Sequence, residues 1–135
     1  MSKPLQILLV EDTPSDVTLT EEALKDCPMA SSLSVVFDGE QALEYLRKKG
    51  KHAQAERPDV ILLDLNMPKK DGHEVLTEMK DDPELEAIPV VVLTVSQHEE
   101  EIVRAMDLKM NYYLSKPVNA RTLYPILMSI RDLWT

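Results

Sequence analysis

Glu11-Asp12, Asp64, Thr94 and Lys116 are the residues of this chain whose types could do chemistry together. Each stands at or just past the end of a short apolar run: residues 5–10 before Glu11-Asp12, 59–63 before Asp64, 88–93 before Thr94 and 112–114 before Lys116. Brought to one place, three carboxylates repel, and one is driven toward protonation unless a cation compensates. Mg²⁺ suits that role, because it wants oxygen ligands, keeps several waters and needs only one or two protein carboxylates. Asp12 and Asp64 can supply them, with a backbone carbonyl from the region of Asn66. Lys116 cannot ligate a metal as an ammonium, but it can hold an anionic oxygen. A dication, an ammonium and the Thr94 hydroxyl together suit a phosphoryl group. The chain has no G-x-x-x-x-G-K loop to cradle a nucleotide. The phosphoryl group must then go to a side chain, and an Asp carboxylate can be the nucleophile that becomes an acyl phosphate.

The elements that must position these groups are legible as punctuated periodic runs. The stretches 5–10, 33–37, 59–63, 88–93 and 112–114 are short and apolar on both faces, as in buried parallel strands. Helices are expected between them. Thr13 can cap the first, with Pro14 at its first position and Asp16 at the positive helix end. Asp38-Gly39-Glu40-Gln41 and Asp71-Gly72-His73-Glu74 read as capping patterns for the second and third. Ser96-Gln97-His98-Glu99 opens a fourth helix through Ile102, Val103 and Met106. A last helix starts at Asn119, with Pro125 predicting a kink or a late start. Strand alternating with helix means a parallel sheet covered on both faces, with ligands at the carboxyl ends of its strands. A parallel sheet puts all of those ends on one edge, so residues distant in sequence converge there.

With 135 residues the chain fits one domain, and 44% hydrophobic against 29% charged residues places it among folded globular chains. No apolar run approaches the roughly 20 residues of a membrane span, and the N-terminus lacks a signal-peptide layout. Cys27 is the only cysteine, so no internal disulfide forms, which suits a reducing cytoplasm. A formal charge of −9 disfavours nucleic acid as a direct partner and suits a cation or a basic protein surface. His52, His73 and His98 have no metal-ligand spacing and read as solvated. Cys27 reads as inert, and the seven methionines as core filler.

The string Leu63-Asp64-Leu65-Asn66-Met67-Pro68, with Glu11-Asp12, Thr94 and Lys116-Pro117, resembles the receiver domain of two-component response regulators over nearly the whole chain. The resemblance implies an α/β flavodoxin-like (CheY-like) (βα)5 three-layer sandwich with strand order 2-1-3-4-5. It implies transfer from a phosphohistidine of a sensor histidine kinase to Asp64. By matching position, Glu11 and Asp12 are the acid pair with Asp12 on the metal directly, and Asn66 offers its backbone carbonyl. Thr94 and Tyr113 form the switch, and Lys116-Pro117 is cis. A narrower similarity, to the single-domain regulators associated with bacterial phytochromes, lies in residues 47–58, in 66–72 and in Leu133-Trp134. It implies a bacteriophytochrome as a candidate kinase and a homodimer through the last helix region, where Tyr124, Met128 and Trp134 add apolar area. One departure matters: Val95 follows the switch threonine, where receivers usually carry something smaller. Its β-branched side chain is expected to crowd access to Asp64 and to slow both phosphorylation and loss of the phosphoryl group.

On this reading residues 1–135 form a single receiver domain with a core at about 5–133 and no output domain, modifying itself rather than turning over a separate substrate. Two other classes stand beside it. An aspartate-nucleophile phosphohydrolase usually carries a second acid two residues after its nucleophile, where this chain has Asn66. A phosphate-independent interaction module on the same fold normally lacks one of the acid, threonine or lysine residues, and none is missing here.

Overall fold

The computed structural model describes residues 4–65, 71–95, 98, 101 and 111–132. Five parallel strands, β1 (Leu5–Val10), β2 (Ser31–Val36), β3 (Val60–Asp64), β4 (Val90–Thr94) and β5 (Asn111–Ser115), form one sheet in the order β2-β1-β3-β4-β5. Four α-helices are described, α1 (Pro14–Lys25), α2 (Gly39–Leu46), α3 (Gly72–Lys80) and α4 (Ala120–Asp132). The flavodoxin-like three-layer architecture and strand order expected from the sequence are the ones observed. The expected helix through Ile102, Val103 and Met106 lies outside the described residues, as do Asn66, Leu133 and Trp134.

Strand alternation divides the core into two layers. Leu8, Val10, Ile61, Leu63, Val90 and Val92 pack under α2 and α3 against Leu43, Val75 and Leu76. Ile7, Leu9, Val60, Leu62, Val91, Leu93 and Leu114 pack on the other face against Leu24 of α1 and Leu123, Leu127 and Ile130 of α4. The near-continuous apolar runs of β1, β3 and β4 are thus explained by burial on both faces. β2 is an edge strand and is covered less completely. It starts at Ser31, earlier than its apolar pattern suggests, because the backbone pairing Leu5↔Ser31 to Val10↔Val36 needs no apolar side chain. Phe37 falls outside β2 and is exposed.

The helix starts follow the capping patterns in two cases. Asp71 accepts from the Glu74 N–H and the Glu74 carboxylate accepts from the Asp71 N–H, a complete capping box. Asp38 accepts from the Gln41 N–H, while the Gln41 side chain accepts from the N–H of Phe37, one residue before the cap. Thr13 departs from expectation: it occupies the cap position of α1, but its side chain makes no capping bond and turns toward Asp12 Oδ1. Pro125 brings no late start. α4 begins at Ala120, behind an Asn119 side chain that accepts from the Thr122 N–H, and runs through the proline. His52 and His73 are half-buried rather than solvated; the His52 ring lies 5.3 Å from that of Tyr45. Cys27 is buried, its thiol donating to the Ala23 carbonyl, and burial pushes its pKa up, in keeping with an inert thiol.

Candidate functional site

The alternation that builds the two core layers also decides which polar side chains meet. Asp64 ends β3 and shares the parity of Val60 and Leu62, so it falls on the α1 side of the sheet. The Glu11 N–H donates to the Val36 carbonyl, which carries the β1 ladder one residue past the strand and gives Glu11 the parity of Ile7 and Leu9. The Lys116 N–H donates to the Thr94 carbonyl, so Lys116 continues the parity of Tyr112 and Leu114. All three therefore point to the same side of the same sheet edge. Lys116 comes from two strands away, about 10 Å at the usual strand spacing, a gap that a lysine side chain can reach across.

The resulting contacts are short. Lys116 Nζ lies 3.0 Å from Glu11 Oε1, 3.1 Å from Asp64 Oδ2 and 3.1 Å from Asp16 Oδ2. Glu11, Asp64 and Thr94 are buried, whereas Asp12 is exposed at the rim. Thr94 is the last residue of β4, one position beyond the Asp64↔Leu93 pair, with the parity of Val90 and Val92 on the α2/α3 side. Tyr113 shares that face and packs half-buried against its core. The Lys116-Pro117 bond is cis, as the resemblance implied.

Burial, and next the neighbouring Asp64 carboxylate, push the Glu11 carboxyl up from 4.5 to about 7 against the pull of Lys116. Burial works against the Lys116 ammonium, but the Glu11 and Asp64 carboxylates outweigh it and hold its pKa above the usual lysine value. Among the described residues, Lys116 by itself therefore does not neutralise the acids gathered here. Single carboxylate oxygens of Glu11, Asp12 and Asp64 lie within 4.8 Å of one another. Glu11 Oε1 is buried and lies 3.0 Å from Lys116 Nζ. Hard oxygen donors, a buried acid whose pKa is raised despite Lys116 and an exposed carboxylate at the mouth fit a divalent cation such as Mg²⁺.

Of the residues expected at the site, Glu11, Asp12, Asp64 and Lys116 come together, and Thr94 stands on the adjacent strand end. Asn66, expected to offer its carbonyl, lies outside the described residues. Asp16 joins the site unexpectedly. The sequence suggests only a favourable acid at the start of α1, but its side chain reaches Lys116 across 100 residues. The signal available for it was geometric: α1 covers the face onto which Glu11, Asp64 and Lys116 all project.

A family model described as the response regulator receiver domain matches residues 7–127. The chain belongs to that family. This receiver is 43% identical over 131 residues to the response regulator Rcp1 of Synechocystis sp., covering 97% of this chain and 89% of Rcp1. Among solved structures it is similar to the phosphorylated cyanobacterial phytochrome response regulator RcpA, with 46% identity, coverage of 98% and 94% of the two chains, and a TM-score of 0.79. It is also similar to the bacteriophytochrome response regulator AtBRR, with 39% identity, coverage of 99% and 97%, and a TM-score of 0.88. Receiver domains act in two-component signalling with sensor histidine kinases and bind Mg²⁺ or Mn²⁺ at an acidic pocket. Rcp1 has been solved in a Mn²⁺-bound form. In this receiver Glu11, Asp12 and Asp64 form an acidic cluster.

Proposed function

We propose that this receiver accepts a phosphoryl group on Asp64 from the phosphohistidine of a sensor histidine kinase, with a bacteriophytochrome as the kinase class its relatives favour. The observation that carries the reading is the placement of Lys116 Nζ 3.1 Å from Asp64 Oδ2, beside three carboxylates close enough to share a dication. An Asp64 carboxylate oxygen attacks phosphorus; the new O–P bond forms as the P–N bond to the kinase imidazole breaks, and the imidazole leaves with its electron pair. Asp12 and Asp64, with Glu11 behind them and the Asn66 backbone carbonyl, would hold Mg²⁺. When bound, that ion supplies neutralisation of charge on the transferring phosphoryl oxygens. Lys116 turns its ammonium to a phosphoryl oxygen, and the Thr94 hydroxyl moves to donate to another.

Asp64 then carries roughly −1.5 to −2 of charge, about twice that of a carboxylate, and that change biases Thr94 and Tyr113 between two arrangements. Output in this reading is a protein contact or a change in dimerisation through the last helix region, with residues 1–135 acting as one receiver unit in the cytoplasm. Support for a partner surface comes from α4, where Tyr124 and Met128 are only half-buried. Among the described residues no helix is long and apolar enough to cross a membrane.

The test is incubation with Mg²⁺ and a small acyl-phosphate donor, followed by intact mass. One added phosphoryl group is expected in the native protein and none in Asp64→Asn. An Asp64→Asn protein that gains the group at the native rate would remove the assignment.

A further inference from the structure

Asp16 is a fourth acid at the site, and no step above uses it. It lies in the first turn of α1, about one helical turn beyond Asp12. Its Oδ2 accepts a hydrogen bond from Lys116 Nζ at 3.1 Å. Its side chain is 31% exposed, against 15% for Lys116 and 4% for Asp64, so it takes the ammonium from the solvent side. It is not part of the Glu11, Asp12 and Asp64 cluster whose oxygens could share a cation. An ammonium has three N–H donors, and three carboxylates surround this one, from Glu11, Asp16 and Asp64.

A phosphoryl group on Asp64 needs the same ammonium. The N–H facing Asp64 Oδ2 can pass to an oxygen of a phosphoryl group carried on that side chain. Asp16 holds Lys116 from the α1 side, 3.1 Å from its ammonium. It also adds one negative charge at the rim that an anionic phosphodonor must cross.

We propose that Asp16 is a positioning residue that restrains Lys116 and slows phosphoryl loading. The proposal rests on the reading of Asp64 as acceptor and deepens it. Loss of the Asp16 charge frees the ammonium for the phosphoryl group and removes repulsion at the mouth, so loading accelerates and the loaded state persists longer. A merely structural role, a favourable acid near the start of a helix, predicts no acceleration.

Loading from a small acyl phosphate with Mg²⁺ is followed by intact mass for the native chain, Asp16→Asn, Asp16→Ser, Asp16→Glu and Asp64→Asn. Asp16→Asn and Asp16→Ser are expected to load about three- to tenfold faster at low ionic strength, the gain shrinking as salt screens the charge. Asp16→Glu is expected to return to the native rate. A second readout needs neither metal nor phosphate: in ¹⁵N-lysine-labelled, metal-free protein, the Lys116 ammonium protons, identified by their loss in Lys116→Arg, are expected to exchange several-fold faster in Asp16→Asn. Loading at or below the native rate in both Asp16→Asn and Asp16→Ser, with native circular dichroism, overturns the proposal, as does unchanged ammonium exchange. Phosphoryl gain by Asp64→Asn overturns the acceptor reading instead, while the exchange measurement still decides whether Asp16 holds Lys116.

Discussion

Glu11 is the residue at which burial and charge conflict most directly. It is completely buried, its Oε1 lies 3.0 Å from Lys116 Nζ, and its carboxyl is pushed from 4.5 up to about 7, first by burial and then by Asp64. A raised folded-state pKa means that the folded chain binds this proton more tightly than the unfolded chain does. The corresponding stability is fully present below the unfolded value and is lost as pH rises through the folded one. Lys116, also held above its ordinary 10.5, contributes stability that persists up to that value and does not interfere near neutrality. The metal-free native protein is therefore expected to lose on the order of 2 kcal/mol between about pH 5 and pH 7.5, and Glu11→Gln to lose much less. Denaturant midpoints across that range measure the difference; parallel curves for the two proteins would place the titrating group elsewhere. Val95 acts at the same scale. It is 64% exposed and follows buried Thr94, the last residue of β4. Native protein loaded on Asp64 is expected to lose its phosphoryl group several-fold more slowly than Val95→Ala, as followed by intact mass over time. Faster loss from the native protein would show that Val95 does not restrict access.

At the scale of elements, α3 shows how tightly the site is built. Gly72 opens the helix, and its N–H donates to the Leu65 carbonyl at 3.1 Å. A Cβ there would sit 2.7 Å from Leu65 Cα and 2.8 Å from the Asp64 carbonyl oxygen, both backbone atoms that cannot swing aside. Gly72→Ala is expected to cost about 1–3 kcal/mol in denaturant unfolding and to slow loading, because the displaced peptide carries Asp64. Unchanged stability and loading would mean that the close approach does not position the site. Much of this level was legible in advance for a physical reason. The runs of β1, β3 and β4 advertise burial on both faces, and the caps of α2 and α3 depend on residues three positions apart. What failed was equally physical. Thr13 sits at its cap position, but its hydroxyl turns to Asp12, a choice between neighbouring oxygens that composition does not set. His52 has a polar sequence context yet lies against Tyr45. Asp16 was missed because its partner is 100 residues away and is found only once α1 is placed over the right face of the sheet.

Across the whole molecule, the chain carries a net charge of −9, and among the described residues four acids converge on one sheet edge beside Lys116. Self-repulsion of that kind opposes the compact state and is relieved by any cation, but only a site-bound cation is saturable at low concentration. A ligand that binds the folded chain alone stabilises it by RT ln(1 + [L]/Kd), about 2.7 kcal/mol at a hundredfold excess over Kd. Mg²⁺ is accordingly expected to raise the melting temperature of the native protein along a saturable curve, on top of the smaller, non-saturating rise that NaCl produces at equal ionic strength. The saturable part should be lost in Asp12→Asn and Asp64→Asn, which remove candidate ligands, while the salt-dependent part persists in both. It should survive in Asp16→Asn, because Asp16 engages the lysine from outside the oxygen cluster. A Mg²⁺ curve that coincides with the NaCl curve at matched ionic strength would mean that the acids act as a diffuse field and not as a binding site.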